Sequence, residues 1–161
     1  MTDDRTVRTS APELLDVPES ATAAIRRRVA PEEMRDFFDR SFRALPEVVA
    51  GQGVTIAGPA FCLYREEAAA ALDVEVGFPV DRPVRPERDV MAGCLPAGRV
   101  ARIVYSGGFE GLAAAWENLR SWIVEQRLTP GPLWWEVYRT RPTPDMDPAQ
   151  LRTELNWPVM P

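Results

Sequence analysis

The chain has 161 residues, a net charge of −5 and a sequence pI near 4.9, with 45% hydrophobic and 27% charged residues. These are globular values, and an acidic chain without a basic stripe lacks the charge that binding to phosphate backbones requires. All 19 basic residues are arginine and none is histidine, which excludes Ser-His-Asp and Cys-His nucleophile systems, imidazole metal ligation, Schiff-base lysines and P-loop lysines.

Residues 1–11 read as a polar, flexible N-terminal arm with no secretory signal, and no apolar run is long enough to cross a membrane. The two cysteines, Cys62 and Cys94, stand in no CxxC pattern, so a cytoplasmic chain with reduced thiols is expected, with no membrane, metal or cofactor. The triplet Arg26-Arg27-Arg28, followed by Glu32 and Glu33, reads as a solvated strand face.

A helix is predicted from Pro31 to about Val49, on the apolar stripe Met34, Phe37, Phe38, Phe42, Leu45 and Val48. Pro31 suits its first position, Glu32 and Glu33 suit the positive end of its dipole, and Pro46 is expected to kink it or end it early. A second helix is predicted from about Phe109 to Leu128, with Leu112, Trp116, Leu119, Trp122 and Ile123 on its stripe. Gly107-Gly108 precedes it and Pro130-Gly131-Pro132 stops it. The rest reads as short strands.

The two halves superpose in sequence. One offset aligns Val17-Pro18 with Leu95-Pro96, Ile25 with Ile103, Met34 with Leu112 and Leu45 with Ile123. After a loop-sized change it aligns Leu63-Tyr64 with Val137-Tyr138, and after another Phe78-Pro79-Val80 with Trp157-Pro158-Val159. The expected fold is α+β, a single domain over 12–161 made of two strand-strand-helix-strand-strand repeats, about 12–81 and 89–160. Its antiparallel sheet carries both helices on one face and leaves the other open for a ligand.

Strand alternation sorts side chains between those faces. The open face is assigned Trp134, Glu136 and Tyr138 from one strand, and Arg152, Glu154 and Asn156 from the last. From the first half it is assigned Cys62, Tyr64, Asp73, Glu75 and Gly77. Aromatic rings with a carboxylate suit a flat organic cation, through stacking, cation–π attraction and charge pairing. The same Glu136 could serve as a general acid or base. Glu75 and Glu154 also suit cross-strand pairing with arginines.

The run Arg102-Ile103-Val104-Tyr105-Ser106-Gly107-Gly108-Phe109-Glu110-Gly111-Leu112, with Trp135-Glu136-Val137-Tyr138 and Leu151-Arg152-Thr153-Glu154-Leu155, resembles the GyrI-like small-molecule-binding domain family. The resemblance covers about residues 12 to 160 and implies two strand–helix–strand–strand modules related by pseudo-two-fold symmetry. It implies a central cleft for bulky, often cationic aromatic compounds, with a strand glutamate that carries over onto Glu136. Trp134, Tyr138, Tyr64 and Tyr105 would then supply rings, and Glu154, Cys62 and Asn156 further contacts.

Family members serve as effector domains of AraC- and MerR-type regulators, as gyrase inhibitors and as free-standing domains. Some resemble hydrolases that open cyclopropane rings of DNA-alkylating natural products. The expectation is a free-standing multidrug-binding domain for sequestration or sensing, with hydrolase chemistry on Glu136 and Tyr138, or a gyrase-inhibitor-like module, as alternatives. The segment before the first strand is too short for a helix-turn-helix, so no direct nucleic-acid contact is expected. A separate regulator or a topoisomerase would be the protein partner.

Overall fold

The computed structural model describes residues 8–65, 72–140 and 145–161. In chain order its elements are β1 (Arg8–Thr9), β2 (Glu13–Val17), β3 (Ser20–Val29), α1 (Met34–Gly51), β4 (Phe61–Arg65), β5 (Leu72–Pro79) and β6 (Met91–Leu95). There follow β7 (Gly98–Ser106), α2 (Leu112–Glu125), β8 (Thr129–Pro130), β9 (Leu133–Tyr138) and β10 (Arg152–Met160). They form two compact units. The first spans Val17–Gly98, and the second joins Arg99–Pro161 to the N-terminal strands.

In the first unit β5 lies between β4 and β3, and β6 pairs with the far side of β3, every pairing antiparallel. Ile25 faces Val76, which in turn faces Cys62. Phe42 of α1 packs edge-on against Phe78 with ring centroids 5.7 Å apart, which places α1 on the Val76–Phe78 face of this sheet. Gly77 has a steric reason to be glycine, since a Cβ there would stand 2.1 Å from the Ala23 carbonyl oxygen.

The helix starts as read. Pro31–Glu33 form a 3-10 turn before α1, and the Ala30 N–H donates to the Glu33 carboxylate at 3.3 Å. The expected early end at Pro46 does not occur, and α1 continues through it to Gly51. Leu45, Val48 and Val49 flank that proline and are all buried, so packing outweighs the single lost hydrogen bond.

In the second unit β10 lies between β9 and β7, and β1 pairs with β7; β2 also joins β7, and β8 joins β10. Its core gathers Ala101, Ile103 and Tyr105 of β7, Leu155 and Trp157 of β10, and Ala115, Leu119 and Ile123 of α2. The order β7–α2–β9–β10, with β10 central, reproduces β3–α1–β4–β5 with β5 central. The row Ile103–Leu155–Glu136 occupies the places that Ile25–Val76–Cys62 hold in the first unit.

Residues 1–7 of the expected arm lie outside the described residues. Arg8–Ser10, also assigned to it, are held against β7 instead: Arg8 pairs with Ser106, and the Ser10 amide donates to the Val104 carbonyl at 2.9 Å. The Ser10 hydroxyl accepts in return from the Val104 amide at 2.8 Å. Backbone edge groups of β7 supply the partners that a polar arm would otherwise find in water.

Candidate functional site

Register decides which side chains share a face, because residues directly opposite one another in a ladder point the same way. Glu136 stands opposite Leu155, and Tyr138 opposite Thr153, which is itself opposite Tyr105. Trp134, Glu136 and Tyr138 therefore lie on the face that carries α2, not on the open face to which alternation alone assigned them. The contacts agree. Trp134 packs on Trp157 with centroids 5.0 Å apart, and Tyr138 meets Phe109, just ahead of α2, edge-on at 6.1 Å.

Glu136 is only 2% exposed in this setting. Among residues of β7, β9 and β10 on the α2 side it is the one carboxylate, bracketed along its own strand by an indole and a phenol. A carboxylate removed from water among rings favours a cation or a hydrogen-bond donor beside it.

Glu154 and Asn156 point the other way, together with Val104 and Arg102. There they form a closed polar network. The Glu154 carboxylate accepts from Arg139 Nε at 3.0 Å and Nη2 at 2.5 Å, and from Asn156 Nδ2 at 2.9 Å. Arg102 donates through Nε to Asn156 Oδ1 at 2.7 Å and pairs with Glu154 at 3.4 Å. Trp135 shares this second face and is 3% exposed. The structure thus gives Glu154 and Asn156 an internal role, and does not bring them together with Glu136.

Tyr105 shares the α2 face with Tyr138. It is 2% exposed within the α2 core, and its hydroxyl donates to the Gly108 carbonyl at 2.8 Å. Burial, with the Glu110 carboxylate as a smaller contribution, raises its pKa above 10.0. The bond ties the end of β7 to the turn ahead of α2. Gly107 sits in that turn with φ of 142°, and a Cβ there would meet the Tyr105 hydroxyl at 2.8 Å. The ring locks the approach to the helix.

In the first unit Cys62 lies opposite Val76 and Tyr64 opposite Val74, so both lie on the α1 side, again opposite to expectation. Asp73 and Glu75 do face away from it and pair with arginines, Asp73 with Arg26 at 2.7 Å and Glu75 with Arg65 at 3.0 Å. Sequence reasoning passed over Phe109. Its position one residue after Gly107-Gly108 was the available signal, and it is 47% exposed while touching Tyr138. Among the described residues no His/Cys/Asp/Glu cluster could hold a metal ion, and no helix is long and apolar enough to cross a membrane.

An α+β domain with antiparallel strands, a helix packed on each unit and a buried strand carboxylate among rings is the build of a small-molecule-binding domain. The GyrI-like small molecule binding domain matches residues 10–160, and the chain belongs to that family. No curated protein matches it. Among solved structures it is similar to the C-terminal domain of EcmrR, at 19% identity and TM-score 0.78, covering 96% of this chain and 98% of that one.

Against EcmrR in its DNA complex the identity is 21% and the TM-score 0.79, over 92% of this chain and 57% of that chain; the chain spans little more than half the length of that regulator. SAV2435 bound to tetraphenylphosphonium is similar at 13% identity and TM-score 0.66, covering 94% of each chain. A hydrolase from Listeria innocua is 13% identical with TM-score 0.66, over 92% of this chain and 91% of that one. At such identities these likenesses establish the fold.

Proposed function

We propose that this GyrI-like domain binds bulky hydrophobic cations, aromatic ones above all, and serves to sequester or sense them. The observation that carries the reading is the nearly complete burial of Glu136 on a strand face between Trp134 and Tyr138. A buried carboxylate supplies charge in a setting where water screens it weakly, and the neighbouring rings supply stacking and cation–π attraction. The capture of tetraphenylphosphonium by SAV2435, a protein of the same fold, supports a cation of this kind.

The shared row of Ile25–Val76–Cys62 and Ile103–Leu155–Glu136 supports a further part of the reading, that the two units are copies of one module. Only the second copy carries the acid, with Cys62 in its place in the first and Tyr64 in the place of Tyr138. The likeness to a hydrolase favours a second reading in which Glu136 transfers the proton during ring opening of a strained substrate. The chain offers neither histidine nor lysine for that step.

All five tryptophans lie in the second unit, so intrinsic fluorescence reads that unit. Titration with tetraphenylphosphonium should saturate, whereas the isosteric anion tetraphenylborate should bind far more weakly. Equal affinity for the two would overturn the proposal. Incubation with a cyclopropane-bearing alkylator separates the readings, since turnover beyond one equivalent requires the enzyme.

A further inference from the structure

The first unit has a pocket of about 160 Å³ on the α1 side of β3, lined by none of Trp134, Glu136 and Tyr138. Its floor is apolar: Ile25 of β3 with Phe37 and Ala44 of α1. Its walls are formed by the side chains of Arg27, Arg40 and Arg88 and by the buried Ser41. Periodicity explains the gathering. Phe37, Arg40, Ser41 and Ala44 recur at helical spacing on one face of α1, and Ile25 and Arg27 alternate onto one face of β3. In a chain of net charge −5 this lining has three positive groups against one negative, Asp89.

The third arginine sits on a built turn. Arg88 has a positive φ of 54°, which a residue with a side chain adopts only when its surroundings impose it. Here they do. Glu87 and Val90 exchange backbone hydrogen bonds of 3.1 and 3.0 Å across Arg88-Asp89. Gln52, just past α1, holds the chain leading in, donating to the Arg85 carbonyl at 2.9 Å and accepting from the Arg85 amide at 2.8 Å.

The ion pairs already present are exposed and weak. Arg27 reaches Asp89 at 3.6 Å, with 46% and 71% of the side chains exposed. Arg88 reaches Glu47 at 3.2 Å, with 57% and 61% exposed. Such pairs contribute little and exchange readily for a better anion.

We infer that this pocket is an anion site for a small phosphomonoester with a compact apolar body. A phosphate group would replace Asp89 on Arg27 and Glu47 on Arg88, guanidinium forks fit its oxygens, and the floor of Ile25, Phe37 and Ala44 takes the organic group. At about 160 Å³ it is smaller than the sites that hold drug-sized ligands, which sets it apart from the bulky cations proposed for the second unit.

Calorimetric titration of the full chain with phenyl phosphate tests the inference, with inorganic phosphate and phenol as parallel arms. Phenyl phosphate should bind saturably in the submillimolar range, inorganic phosphate more weakly, and phenol not at all. Arg40→Gln should weaken phenyl phosphate roughly ten-fold or more. Arg88→Gly should do the same while keeping the turn, because glycine accepts the positive φ. Both variants should retain parental far-UV circular dichroism and parental affinity for tetraphenylphosphonium, and Glu136→Gln should leave phenyl phosphate binding untouched. Absence of saturable phenyl phosphate binding, equal binding of phenol, or parental affinity in Arg88→Gly would overturn the inference.

Discussion

Glu136 stands directly across the β9–β10 ladder from Leu155, so an acidic side chain shares its face with a residue at the centre of the α2 core. Two consequences follow from that pairing. The carboxylate is shielded from solvent, and whatever neutralises it must do so from the helix-bearing side.

Glu136→Gln keeps the shape and removes the charge. Affinity for tetraphenylphosphonium should fall by about 1–3 kcal/mol, roughly five-fold to 150-fold, as for loss of a charge-assisted interaction. A neutral aryl ligand of the same size should lose much less. Tryptophan fluorescence titration of both proteins measures the difference, and equal cation affinity in the variant would remove Glu136 from the site.

That pairing also marks the limit of what was legible. Both helices, their starting turns and the shared strand order were readable from apolar spacing and from the internal alignment of Ile25 with Ile103 and Leu63-Tyr64 with Val137-Tyr138. The faces of β5 and β10 were readable too, because Val74, Val76 and Leu155 contrast with Glu75 and Glu154. The faces of β4 and β9 were not. Alternation says which residues travel together but leaves open which side the helix covers, and hydropathy resolves that only when one face is wet.

In β9 both faces are dry. Trp135 is 3% exposed on one side and Glu136 2% on the other, and hydropathy alone places the indole inward and the acid outward. Phe61, Cys62 and Leu63 of β4 are likewise all buried. Only the ladder register, a long-range property, breaks the tie.

Tyr105 should matter for stability rather than for ligand. Tyr105→Phe leaves the Gly108 carbonyl without its donor and should cost about 1 kcal/mol, with no change in cation affinity. It should also change the alkaline limb. The folded-state pKa is raised, so the contribution of this phenol is complete below the unfolded value of 10.0 and is lost as pH rises through the folded one. Urea denaturation from neutral pH to well above 10.0 should show a shallower loss of stability in the phenylalanine variant.

Asp73 governs the opposite limb. Arg26 donates to it through Nε at 3.0 Å and Nη2 at 2.7 Å, and this bidentate bond is the main cause that lowers its pKa below 3.8. Burial opposes the shift, and the charges of Arg26, Arg65 and Arg28 reinforce it. A depressed folded value means that the stabilisation is present above 3.8 and lost as pH falls through that folded value. Asp73→Asn should therefore flatten the acid side of the stability profile. At neutral pH it should cost about 1 kcal/mol, a modest figure because half of the Arg26 side chain is in water.

Glu154 and Glu136 should respond in opposite ways, although both are strand carboxylates with little exposure. Glu154→Ala strips the acceptor from Arg139, removes the partner charge of Arg102 and leaves the Nδ2 group of fully buried Asn156 without its bond. Removing one member of such a network exposes the others to their full desolvation cost, so the variant should lose about 1–3 kcal/mol in chemical denaturation. Its affinity for tetraphenylphosphonium should stay at the parental level, because Glu154 points to the face away from α2. If Glu154→Ala lowered cation affinity as much as Glu136→Gln did, the two faces would not be functionally separate, and the ligand would have to be placed on the side of Arg102 and Asn156.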